Sequence, residues 1–118
     1  NASLSAHRGF AYIILNSKPS LRLDLIKGQW EQMHGLPFKI LIIDSCILAQ
    51  LNRLFAYQRS YFNTLAELDL TILKWKVIPL SMPLIVRASI KPTGSSEMLF
   101  ITRDYDIVRI HPEAGRVE

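Results

Sequence analysis

Three aspartates are the residues whose type and placing could do chemistry. Asp44 follows the apolar run at 38–43, and Asp104 and Asp106 close a second apolar run within Arg103-Asp104-Tyr105-Asp106. Carboxylates delivered from strand ends can share a Mg²⁺ or Mn²⁺ ion, which polarises a phosphoryl oxygen and acidifies a bound water. The same residues also have plainer uses: Asp44 with Ser45 suits a helix N-cap, and Asp104 and Asp106 suit a strand end. The plainer uses weigh more, because the segment between the aspartates adds only Glu67, Asp69 and Glu97 as further acids. His7, His34 and His111 lie far apart, and none has a second ligand-type residue at i+3 or i+4, so they make no metal site. Cys46 is the single cysteine; it excludes an internal disulfide and a cysteine zinc cluster, and it reads as a small buried thiol rather than a nucleophile. Ser45 lacks the Gly-x-Ser-x-Gly setting of a nucleophile, and the five glycines form no phosphate-binding pattern. No catalytic residue and no metal ligand is assigned.

The elements that would position such residues are read from periodicity. Residues 71–104 alternate at period two and predict three strands, 71–80, 82–91 and 97–104, the last two joined as a hairpin by Pro92-Thr93-Gly94-Ser95-Ser96. Residues 9–15 and 21–25 predict an earlier hairpin about the turn at 16–19. Its first strand is apolar on both faces, as in the centre of a sheet. Residues 26–34 have helical spacing through Ile26, Trp30 and Met33, stopped by Gly35 and Pro37. The run 38–43 fits a strand or the approach to a helix. From Cys46 into the fifties or sixties, apolar residues recur at intervals of three and four and predict the longest helix, with a break near 60–64. Residues 1–8 are polar and ragged, and no internal repeat is apparent. The expected fold is therefore α+β: an antiparallel sheet of about five strands, with a first hairpin, a helical middle packed on one face, and three C-terminal strands.

On that fold, small Ala88 beside large Trp75 leaves room on the helix-covered face. Leu54, Phe55, Trp75, Val86, Ala88 and Phe100 would line a pocket for a small apolar ligand, or Phe100 and Met98 would close it into a core. Ala11, Ile13, Leu99 and Ile101 fall on the opposite face, where a homodimer or a terminal helix would cover them.

Length and composition bound the rest. A chain of 118 residues makes one domain with a single core, and 49% apolar with 20% charged residues is ordinary for a folded protein. The formal charge of +4 is spread without a run of three, so nucleic-acid binding by this domain is not expected. No apolar run approaches a membrane span, and one cysteine suits a reducing, cytoplasmic setting. The Asn-Ala-Ser start and polar end read as a domain cut from a longer regulatory protein, with 105–118 as a linker to an output domain. No cofactor is specified.

Pro83 to Asp104 (PLIVRASIKPTGSSEMLFITRD) resembles the last two strands of PAS domains, with Arg103-Asp104 at the junction those domains make to their effectors. The hairpin GFAYIILNSKPSLRLDL is similar to the opening PAS strands. The resemblance implies a sensory or protein-interaction module of a signalling or transcription regulator, dimeric and non-enzymatic, holding a small ligand or none. As an alternative, KILIIDSCILAQL with LFITRDYD resembles the first and last acidic motifs of PIN-type ribonucleases, which implies a metal-dependent nuclease using Asp44, Asp104 and Asp106.

Overall fold

In the computed structural model, which describes residues 2–16, 18–90 and 96–118, the described residues form eleven strands and no helix. The expected α+β fold with helices on one sheet face is thus corrected to an all-β one. A meander of β1 (Ala2–His7), β2 (Phe10–Leu15), β3 (Ser20–Asp24) and β4 (Gln29–Met33) makes an N-terminal sheet. The rest is a second meander, β5 (Ile43–Leu48), β6 (Arg53–Gln58), β7 (Tyr61–Asp69), β8 (Lys74–Ile90), β9 (Met98–Thr102), β10 (Ile107–His111) and β11 (Arg116–Val117). Every pairing is antiparallel. No described helix is long and apolar enough to cross a membrane.

Strand β8 turns the second meander back on itself. Its register with β7 jumps from Thr64↔Pro79 to Phe62↔Leu84, leaving 80–83 out of the ladder. Pro79 and Pro83 bound this bulge and can donate no ladder hydrogen bond. The Ser81 amide bonds instead to the Gly115 carbonyl (2.8 Å), and the Val117 amide donates to Ser81 Oγ (3.0 Å). The half of β8 before the bulge belongs to a middle sheet with β5–β7, and the half after it to a C-terminal sheet with β9–β11. The three sheets stack. Tyr12, Ile14 and Met33 of the first pack with Ile43, Leu54, Ala56, Ala66 and Leu68 of the second. On the other face of the middle sheet, Phe55, Tyr57, Phe62, Leu65 and Ile78 pack with Leu84, Met98, Phe100 and Ile110 of the third.

This two-sided burial explains the corrected helices. In β6 the residues Leu54, Phe55, Ala56 and Tyr57 are all buried, because alternate side chains enter different cores. A strand covered on both faces loses its period-two signature, and three short ones in succession leave apolar residues at intervals that also fit a helix. The helix expected at 26–34 is a turn followed by β4. Asp44 caps no helix; it lies within β5. Residues 1–8 and 105–118, read as ragged and as a linker, supply β1, β10 and β11. The expected hairpins 9–25 and 82–104 are present as β2–β3 and β8–β9, although most of the Pro-Thr-Gly-Ser-Ser connector lies outside the described residues.

An internal repeat is also present, contrary to expectation. Phe10-Ala11-Tyr12, Leu23-Asp24-Leu25 and Trp30 return 45 residues on as Phe55-Ala56-Tyr57, Leu68-Asp69-Leu70 and Trp75. The aspartates do the same work. Asp24 Oδ1 accepts the amides of Ile26 and Lys27 (both 3.0 Å) while its carbonyl accepts Gly28 N (2.8 Å). Asp69 Oδ1 accepts Thr71 N (2.8 Å) and Ile72 N (3.4 Å) while its carbonyl accepts Leu73 N (2.7 Å). Gly28 (φ 67°) and Leu73 (φ 57°) both take the left-handed conformation that closes the turn. His111 to Gly115 (φ 64°) makes the third, looser copy.

Two measurements test this account. A Cβ on Gly115 would lie 2.4 Å from the Pro79 carbonyl oxygen, whereas one on Gly28 meets nothing within 4 Å. Gly28→Ala should therefore cost about 1 kcal/mol in urea unfolding, for the left-handed backbone alone, and Gly115→Ala about 3 kcal/mol because the β8 bulge must also move. The amides of Lys27 and Ile26 hold the Asp24 carboxyl below its ordinary value of 3.8. A carboxylate with a depressed folded pKa stabilises above its unfolded pKa and loses that stabilisation as pH falls through the folded one. The melting temperature of the wild type should therefore fall more steeply below about pH 4 than that of Asp24→Asn.

Candidate interaction face and clefts

Directly paired residues of an antiparallel sheet share a face, so the registers assign both sides of the N-terminal sheet. Ser3, Ser5, His7, Phe10, Tyr12 and Ile14 point toward the middle sheet. There Ser3 Oγ and Ser5 Oγ hydrogen-bond Ser45 Oγ, and His7 Nε2 meets Asn52 Oδ1 at 3.2 Å. The opposite face presents Leu4 paired with Ile13 and Leu21, Ala6 with Ala11, Leu23 and Trp30, and Ala2 with Leu15. Gln32 is the one polar side chain in these rows. Leu4 and Trp30 are 71% and 58% exposed. A face of four neighbouring strands without a charge, half-buried in the middle and exposed at Leu4 and Trp30, is uncommon on a self-sufficient domain.

The repeat gives this face a counterpart inside the molecule. Ala56, Ala66, Leu68, Leu70 and Trp75 of the middle sheet bury against the N-terminal sheet. The residues 45 positions earlier are Ala11, Leu21, Leu23, Leu25 and Trp30, apolar at every place. Trp75 is further fixed by its indole N–H, which donates to the His34 carbonyl (2.8 Å) in the segment after β4. Trp30 occupies the equivalent position with no sheet against it.

Among the residues expected to line one pocket, Phe55, Val86 and Phe100 pack between the middle and C-terminal sheets, while Leu54 and Trp75 pack between the middle and N-terminal sheets. The middle sheet separates the two groups, so they do not meet around one cavity. Phe62 lies 4.8 Å from the ring of Tyr57 and 5.3 Å from that of Phe100, filling the space with aromatic contacts. Val86 and Ala88 do line a cleft of ≈ 210 Å³, together with Asp44, Tyr57, Arg59 and Arg87. The Tyr57 hydroxyl donates to Asp44 Oδ2 (3.3 Å), and burial, then the nearby Cys46 and Asp44, push it far above the ordinary tyrosine pKa. It stays protonated, serving as a donor and never as a base.

Asp104 and Asp106 border a different cleft, of ≈ 260 Å³, with Met82, Ile85 and Thr102. Asp44 is not among its walls. Among the described residues no three His, Cys, Asp or Glu side chains are grouped to hold a metal ion. His111 instead bridges Glu118 (3.1 Å) and Glu97 (4.0 Å), while His34 lies after β4 and His7 on β1. Cys46 is buried in the core between middle and C-terminal sheets. The face around Trp30 is hidden in the sequence because 26–34 has helical spacing; the matched Phe-Ala-Tyr, Leu-Asp-Leu and Trp are the signal that marks it. No protein-family model and no curated protein matches this chain.

Equivalent tryptophans in unequal surroundings make a direct test. Trp75→Ala should cost about 2–3 kcal/mol in chemical denaturation, since it removes a large partly buried side chain from the gap between two sheets. Trp30→Ala should cost under about 0.5 kcal/mol, as expected of a surface position.

Proposed function

We infer that this chain is a non-enzymatic protein-interaction module, built from stacked β-meander repeats and binding through the outer face of its N-terminal sheet. The observation that carries the reading is the charge-free pair of rows with Leu4, Ile13, Leu21, Leu23 and Trp30 on a sheet face that no other described element covers. Repeat units that cannot bury their apolar faces alone do so against neighbours, and an open face is where the next partner docks. The divided core supports a module that works by surface contact rather than by enclosing a small apolar molecule. The single, buried cysteine fits a reducing compartment such as the cytoplasm.

A polarity-sensitive apolar dye reads the face directly. At about 1 µM protein, where self-association is weak, the wild type should enhance dye fluorescence. Leu4→Glu with Trp30→Glu should lower that enhancement while leaving the melting temperature within a few degrees. An unchanged dye signal in the double variant would overturn the reading.

A further inference from the structure

The two internal sheet interfaces define a donor face and an acceptor face, and among the described residues one of each is exposed. The acceptor face on the middle sheet carries Phe55, Tyr57 and Leu65, with Arg53 Nε 3.2 Å from Glu67 Oε1. On the C-terminal sheet, the face turned away from the core carries Leu99, Ile101 and Ile107, with Arg109 Nε 3.2 Å from Glu97 Oε1. The ladder places Leu99 opposite Arg109 and Ile101 opposite Ile107, as Phe55 stands opposite Glu67 in the middle sheet. Aligned on Leu68 and Ile110, which hold matching places in their sheets, Arg109 falls at the position of Glu67. The same pattern of apolar strand and ion pair therefore recurs with the charges exchanged. Ile107 is 68% exposed and Leu99 and Ile101 are half-buried, so among the described residues this acceptor face reaches solvent, as the donor face around Trp30 does at the other end of the stack.

We propose that the partner of the N-terminal face is the C-terminal sheet of a second copy of this chain, docked head to tail. The proposal rests on the interaction reading above and adds the occupant and its orientation. Its warrant is continuity with the interfaces already inside the molecule: the Tyr12 and Ile14 face of the N-terminal sheet packs on the Leu54 and Leu68 face of the middle sheet, and the Phe55 and Tyr57 face of the middle sheet packs on the C-terminal sheet, so the outer face of the C-terminal sheet is the one matched to the Trp30 face of the next copy. Trp30 then lies against Leu99, Ile101 and Ile107 of that copy, as Trp75 packs against the core that the middle sheet shares with the N-terminal sheet and reaches the His34 carbonyl within one chain. Such contacts are heterologous, and their repetition gives a ring if the rotation closes and a filament if it does not. A two-fold dimer through two Trp30 faces would leave the acceptor face unused.

Sedimentation velocity between about 1 µM and about 0.5 mM decides the matter. The wild type should pass beyond a dimer as concentration rises. Leu4→Glu with Trp30→Glu, which spoils the donor face, and Ile107→Glu, which spoils the acceptor face, should each remain monomeric. An equimolar mixture of the two should stop at a dimer, because one intact face of each kind remains in the pair. Ile107→Lys serves as a second acceptor variant should Glu disturb the Arg109 to Glu97 ion pair. Association unaffected by both substitutions of Ile107 overturns the head-to-tail arrangement. A wild type that stays monomeric at about 0.5 mM, yet keeps its Trp30-dependent dye signal, overturns the second copy as occupant and leaves the interaction face standing; loss of the dye signal as well brings down both.

Discussion

The burial of the middle sheet on both faces is the constraint on which the molecule depends. Leu54 and Ala56 enter the core shared with the N-terminal sheet, and Phe55 and Tyr57 enter the core shared with the C-terminal sheet. Wholly burying a leucine or phenylalanine side chain contributes about 1.5–3 kcal/mol, so β6 couples the two cores within one strand. Among the described residues neither outer sheet has a second sheet to cover its far side. Each is half of a sandwich, and each ends in an apolar surface where the middle sheet has a partner.

The stack is held in shape by a few departures from regular geometry. The bulge between Pro79 and Pro83 bends β8, so that one strand serves two sheets that face one another. Gly115 fits against the Pro79 carbonyl at the same place, where any side chain would strike backbone. Bulges of this kind raise local twist and redirect strands. Here the bulge lets β11 return beside the middle of β8, and it brings Leu84, Met98, Phe100 and Ile110 over Phe62 and Leu65. The Asp24 and Asp69 turns perform the complementary task between strands three and four of the first two meanders, fixing register so that each tryptophan reaches the same face.

This layering determines what kind of chemistry the surface offers. The clefts are open grooves between sheet edges, and the acids of the sequence are dispersed among them rather than gathered. Asp44 is engaged by the Tyr57 hydroxyl, and the three histidines lie apart, on β1, after β4 and on β10. The large continuous feature is apolar. A sheet face has no pocket in which to orient a reacting group, yet it offers broad contact to another sheet of matching relief.

The sequence by itself determined the local turn and strand chemistry wherever one face was wet. The alternation in 84–90 was legible because solvent on one side imposes period two, and the hairpin of β2 and β3 and the strand at 98–102 because short apolar runs are bounded by turn residues. The 45-residue recurrence of Phe-Ala-Tyr, Leu-Asp-Leu and Trp was also written in the chain, although the loops between the matched strings differ enough to hide it. Tertiary structure alone decided the rest. Whether 46–68 forms one helix or parts of three strands depends on what covers each side, and residues buried on both sides carry no record of period. Leu54 and Phe55 are neighbours in sequence that belong to different cores, so no reading of a single segment could have kept them apart. Trp30 and Trp75 are equivalent in sequence and unequal in burial for the same reason: the surroundings of a side chain are set by the sheet that packs against it, and only Trp75 has one.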